Sequence, residues 1–143
     1  MSANANQLTV GLLVVTHKDY GQALLEAAEL IMGDAPDVKT VGVEASTEVD
    51  AIITRIQEAV READKGHGVL VLTDMFGGTP TNLSLSLLNK QNLEVVTGVN
   101  MPMLLKAMGG LHLPLGQLAA AAKQAGEGGI IVAGELLRKK AGV

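Results

Sequence analysis

Ten residues near the start of the chain, Leu8 to His17 (LTVGLLVVTH), constrain the fold most, because a dense aliphatic run ends abruptly on a histidine. Val10, Leu12, Leu13, Val14 and Val15 leave no polar face, so the segment reads as a strand covered on both sides, the situation of a parallel sheet flanked by helices. It is far too short to cross a bilayer. Thr16 and His17 fall at the strand's carboxyl end, where open α/β sheets gather their ligand-binding loops. A histidine met at random is usually a satisfied core or surface residue. At the tip of a buried strand, before a polar turn (Lys18, Asp19) and a helix, it is placed to act as an exposed nucleophile or acid–base group.

The same signature recurs at Val69 to Thr73 (VLVLT), which ends on Asp74 and leads into MFGGTPTN. Gly77 and Gly78 permit positive φ and close backbone approach, Thr79 is a good N-cap, and Pro80 suits the first helical position. A helix is therefore expected from there through Leu83, Leu87 and Leu88. A glycine pair feeding a helix start offers free N–H groups to an anion.

Other segments fill in the alternation. A helix is expected over Tyr20 to Met32, with Leu24, Ala28 and Ile31 on one side, Leu25 adjoining, and Gly33 ending it; a short strand follows at Val38 to Val43. From Thr47 to Ala63, Val49, Ile52, Ile53, Ile56, Val60 and Ala63 recur at helical spacing, and Thr47 with Asp50 suggests a capping box. Leu93 to Thr97 reads as a fourth strand. Gly98 to Pro102 forms its exit loop, followed by a short helix with Met103, Leu104, Leu105 and Met108. Leu115 to Ala125 is an alanine-rich helix ended by Gly126, and Ile130 to Val132 is a brief apolar strand before a charged tail. Residues 1–7 read as a flexible lead-in and 8–143 as one domain. The pattern predicts an α/β fold: a doubly wound, mostly parallel sheet of four strands flanked by helices, plus a short C-terminal edge strand.

Composition narrows the chemistry. The chain has 143 residues with one Tyr, one Phe and no Trp, so its core is packed from Leu, Val, Ile, Ala and Met. A net charge of −4 without a basic run argues against nucleic acid. With no cysteine there is no thiol chemistry, and MSANANQ has neither the charged nor the apolar region of a signal peptide, so the cytoplasm is expected. His67 and His112 both fall in loops and read as surface residues.

Three loops thus meet above the sheet: Thr16 to Lys18, Asp74 to Thr79, and Asn100 to Met101. If the first and third strands are neighbours, Asp74 can reach an imidazole nitrogen of His17, fix the tautomer and leave the other nitrogen nucleophilic. With backbone donors opposite, and with no serine or cysteine nucleophile and no Walker-type lysine, the constellation suits phosphoryl capture better than acyl transfer or nucleotide binding. One His and one Asp make a poor metal site, and no cofactor is expected. Both a phosphoryl carrier and a non-catalytic anion-binding regulatory module could use these residues.

GLLVVTH with the helix QALLEAAELIMG, then VLVLTDMFGGTPTN, then VVTGVNMPML, together resemble the enzyme IIA component of the mannose/fructose/sorbose family of the bacterial sugar phosphotransferase system. The resemblance runs from Leu8 to about Leu137. It implies that His17 accepts phosphate from the histidine-containing phosphocarrier protein and passes it to a IIB component, linked in turn to membrane IIC and IID subunits that choose the sugar. It makes Asp74 the orienting carboxylate, with Thr79 and the Gly77 and Gly78 backbone as phosphate contacts. Thr16 beside the histidine is a further expected phosphate contact, and Lys18, Phe76, Asn100 and Met101 border the site as expected docking residues. A homodimer that exchanges the strand Ile130 to Val132 is also implied. The phosphoryl donor subunit of dihydroxyacetone kinase shares the strand-tip histidine but lacks the GG-T-P turn. Lys18 stands where many members have glycine, and the IIB partner is expected to be a separate chain.

Overall fold

The aliphatic runs become the strands of one sheet, each parallel to its neighbours, in the order β2-β1-β3-β4. The computed structural model describes residues 9–34 and 37–142, so the expected lead-in at 1–7 lies outside the described residues. The elements alternate: β1 (Gly11–His17), α1 (Tyr20–Met32), β2 (Lys39–Val43), α2 (Val49–Ala63), β3 (Val69–Thr73), α3 (Thr79–Leu85), β4 (Leu93–Thr97), α4 (Met101–Gly109), α5 (Leu115–Gly128) and α6 (Ala133–Lys140).

Side chains alternate across a strand, so β1 and β3 feed two cores at once. On one face Leu12, Val14, Leu70 and Leu72 pack with Ala28 of α1, Leu104 and Ala107 of α4, and Leu118 and Ala122 of α5. On the other, Leu13, Val15, Val69 and Val71 pack with Ile52, Ile56 and Val60 of α2 and with Leu87 beyond α3. Each fully buried Leu, Ile or Val contributes about 1.5–3 kcal/mol relative to exposure. The continuous apolar runs therefore have no solvent-facing side, and the functional loops all leave the same edge of the sheet.

Several boundaries differ from the sequence expectation. Helix α2 starts at Val49 with Glu48 as N-cap and no side-chain cap bond; the Thr47–Asp50 box does not form, because the Thr47 N–H closes a turn onto the Glu44 carbonyl instead. Gly78, not Thr79, is the N-cap of α3, and Pro80 occupies its second position. The same helix stops at Leu85, leaving Leu87 and Leu88 in the turn that follows. Helix α4 begins at Met101 because Asn100 caps it: Oδ1 accepts from the Met103 N–H at 3.0 Å. Helix α5 runs through Gly126 to Gly128, and Gly126 is buried where a Cβ would stand 2.8 Å from Met103 Cε.

At the end of the chain the expected edge strand is unpaired within a single subunit. Ile130 to Val132 pair with none of the four strands and are exposed by 78%, 58% and 63%. The charged tail is helix α6. Its Glu, Leu, Arg and Lys residues are strong helix formers, and Glu135 in the first turn with Arg138, Lys139 and Lys140 in the last match the helix dipole.

Candidate active site

Strand register places the site. Val15 of β1 lies opposite Thr73 of β3, so Asp74 emerges level with the overhanging tip of β1. There Asp74 Oδ2 accepts two hydrogen bonds from one residue, the His17 backbone N–H at 2.8 Å and ring Nδ1 at 2.7 Å. Burial of the Asp74 carboxyl, whose Oδ1 has no partner among the described residues, is the largest single influence and opposes ionisation. The hydrogen bonds and the charge of His17 together outweigh it and hold the Asp74 pKa below its ordinary value. An ionised carboxylate only accepts, so a hydrogen sits on Nδ1, and in the neutral ring the lone pair is then on Nε2. The His17 side chain is 49% exposed while that of Asp74 is 14% exposed, so the imidazole is open to solvent and the carboxylate is largely enclosed behind it.

The glycine turn completes the surroundings. Gly77 has φ +87°, a left-handed conformation that favours glycine. At Gly78 a Cβ would stand 2.9 Å from His17 Cε1 and 3.6 Å from Nε2, so the backbone lies directly against the reactive edge of the ring. Thr79 follows as the first residue of α3, and the first-turn N–H groups of a helix have no intrahelical acceptor. His17 and Thr79 line one open pocket with Val43, Glu44, Ala45, Thr47, Val49 and Ile52. Glu44, from the β2–α2 loop, carried no sequence signal, and Thr47 signalled only a helix cap. Among the described residues no three His, Cys, Asp or Glu side chains cluster to share a metal ion.

Other expected site residues are placed differently. Thr16 is fully buried, and its Oγ1 accepts from the Gly21 N–H at 2.8 Å, so the hydroxyl secures the first turn of α1 and does not reach the pocket. Asn100 is likewise turned inward, spending Oδ1 on the α4 cap and donating from Nδ2 to the Gly126 carbonyl at 3.0 Å. Met101 is half-buried against the core. Phe76 is 76% exposed beside the glycine turn. Lys18 is exposed and lines a separate recess with Gln22, Thr40 and Arg55. Its φ is +48°, and its carbonyl would lie 2.2 Å from a Cβ on Gly42 of β2. The β1–α1 turn is thus a left-handed position squeezed against β2, a conformation that glycine would adopt with less strain than lysine. His67 and His112 are exposed at the opposite end of the sheet, lining a recess with Asn92 and Pro114.

Comparison with known proteins agrees with this architecture. A family model described as the PTS system fructose IIA component matches residues 11–123. The PTS system sorbose-specific EIIA component of Lacticaseibacillus casei is 32% identical over 111 residues, covering 76% of this chain and 80% of that protein. The PTS system mannose-specific EIIAB component of Escherichia coli K12 is 29% identical over 102 residues, covering 71% of this chain; the match spans only 32% of that longer protein. Among solved structures, the mannose/sorbose specific IIA subunit from Enterococcus faecalis superposes with a TM-score of 0.79 at 25% identity, covering 87% of this chain and 94% of that one. The PTS IIA protein associated with the fucose utilization operon of Streptococcus pneumoniae gives 0.78 at 27% identity, covering 91% and 98%. The chain is a IIA component of the mannose/fructose/sorbose family of the sugar phosphotransferase system.

Proposed function

We propose that His17 Nε2 accepts a phosphoryl group from the histidine-containing phosphocarrier protein and hands it to a IIB component, for sugar uptake or its regulation. The observation that carries this reading is the 2.7 Å bond from His17 Nδ1 to Asp74, which in the neutral ring puts the lone pair on Nε2, on the side of the ring that faces Gly78. In the transfer the donor's P–N bond breaks, its imidazole leaves with the electron pair, and a new P–N bond forms to Nε2. Because Nδ1 keeps its hydrogen, the phosphorylated ring is cationic, and the Asp74 carboxylate stabilises that charge. The N–H groups of Gly77, Gly78 and Thr79, with the Thr79 hydroxyl, supply donors for the phosphoryl oxygens. Phe76 and Lys18 offer an apolar and a cationic contact to the partner proteins. No cofactor is needed in this scheme, and a cytoplasmic homodimer that delivers phosphate toward membrane IIC and IID subunits fits it. No helix among the described residues is long and apolar enough to cross a membrane.

The test is incubation with phosphoenolpyruvate and the upstream phosphocarriers, followed by mass mapping of an acid-labile, base-stable phosphoramidate. It should appear on His17 and vanish in His17→Ala, while His67→Ala and His112→Ala remain competent. Phosphate on His67 or His112, or none at all, would overturn the reading; the latter would favour a regulatory module that binds an anion without taking it up.

A further inference from the structure

Behind the His17–Asp74 pair lies a fully buried polar pair that the chemistry above does not use. Thr73, the last residue of β3, and Thr81, the third of α3, are both 0% exposed, with their hydroxyl oxygens 2.6 Å apart. Thr81 Oγ1 also lies 2.5 Å from the Met75 carbonyl oxygen. A hydroxyl carries one hydrogen and a carbonyl can only accept, so Thr81 donates to Met75 and must accept from Thr73. The result is a one-way chain from the Thr73 hydroxyl through the Thr81 hydroxyl to the Met75 carbonyl. In a low-dielectric interior each link polarises the next, and a fully satisfied chain specifies one geometry.

What the chain joins gives it a purpose. Thr73 and Met75 are the residues on either side of Asp74, so Thr81 closes a ring of contacts around it and ties both flanks to α3. Met75 is 54% exposed as a residue, and its carbonyl is anchored by the bond from Thr81 Oγ1. The same helix holds the next part of the loop, with Asn82 N–H donating to the Gly78 carbonyl at 2.9 Å. We infer that Thr81, together with Thr73, is a positioning residue for phosphoryl transfer, fixing the Asp74 backbone so that Oδ2 meets His17 Nδ1 and Gly78 meets the ring edge. Its effect on rate rests on the reading of His17 as the phosphoryl acceptor; its effect on the His17 ring does not.

The experiment therefore has two readouts: the ¹⁵N spectrum of the His17 ring in the unphosphorylated protein, which distinguishes the two tautomers, and single-turnover transfer from the phosphocarrier. Thr81→Val keeps the volume but removes both links. It should spread His17 between tautomers and slow transfer by about 10- to 100-fold, and Thr81→Ser should restore both. Thr73→Val keeps the bond to Met75 and should act in the same direction but less. A Thr81→Val protein with a native His17 spectrum and rate, even one that melts earlier, would overturn the inference. Should Thr81→Val not fold, a native spectrum and rate in Thr73→Val would overturn it equally. If the native protein takes up no phosphate while Thr81→Val still moves the His17 spectrum, the phosphocarrier reading fails and the positioning role stands.

Discussion

At the scale of single residues the proposed function divides the site between His17, which would take the phosphoryl group, and the groups that hold its ring. Asp74→Asn keeps the shape of the side chain but removes the charge that supports a cationic ring, so transfer to His17 should slow by about 10²- to 10⁴-fold with the fold intact. A near-native single-turnover rate would reduce Asp74 to a loop residue. The same substitution has a pH signature. The folded pKa of Asp74 is depressed, so its ionised form adds stability that is fully present above the unfolded value of about 3.9 and is lost as pH falls through the lower folded value. Melting curves of native protein and Asp74→Asn should accordingly differ at neutral pH and converge in acid. Gly78→Ala probes the other side of the ring. Its methyl would stand 2.9 Å from His17 Cε1, against a backbone that cannot retreat without moving α3, so the ring must leave its present position beside Asp74. Transfer should fall by about 10-fold or more with little change in circular dichroism.

At the scale of elements, turns that looked alike in sequence do different work. Thr16 was expected to touch phosphate, yet its hydroxyl is enclosed and holds the Gly21 N–H. Thr16→Val should cost about 1 kcal/mol of stability, read by denaturant titration, and leave the transfer rate of the folded protein unchanged. Lys18 gives the complementary case: at φ +48° a lysine carries left-handed strain of about 1 kcal/mol, so Lys18→Gly should hold or raise the melting temperature, while any loss of transfer would report docking alone. The long apolar runs and the amphipathic helix were legible because burial on two faces or one leaves an unmistakable period, and the adjacency of β1 and β3 brought Asp74 to His17. Side-chain capping was not legible to the same degree. Thr16, Asn100 and Thr81 are short polar residues beside helix starts, where the alphabet for binding a ligand and for satisfying the chain's own backbone is the same. Only the direction of each side chain separates the two uses, and direction depends on tertiary packing.

At the scale of the whole molecule the two edges of the sheet are treated differently. On β2 the Gly42 carbonyl accepts from Arg55 Nη1 at 3.2 Å, so that edge is partly occupied by its own chain. β4 has a neighbour on one side only, and beside it Phe76, Leu85, Val96, Ala119 and Ala120 line an open apolar groove. The same chain carries Ile130, Ile131 and Val132, three exposed β-formers in the connection between α5 and α6 that pair with none of the four strands. An unpaired edge and an unpaired apolar segment are each a liability alone. Reciprocal exchange between two copies would remove both at once, because a twofold pairing uses the donor segment and the acceptor edge of each subunit. On that proposal the native protein should be a dimer by light scattering at micromolar concentration. Ile131→Asp, which puts a charge into the exchanged segment without shortening the chain, should shift it toward monomer, and removal of residues 128–143 should cause dissociation or aggregation. The loss of α6 alone, by a stop after Val132, should leave the dimer in place if the three apolar residues make the contact. A native protein that runs as a clean soluble monomer, or an Ile131→Asp variant that dimerises as well as the native chain, would sink the exchange, and the groove beside β4 would then need a different occupant.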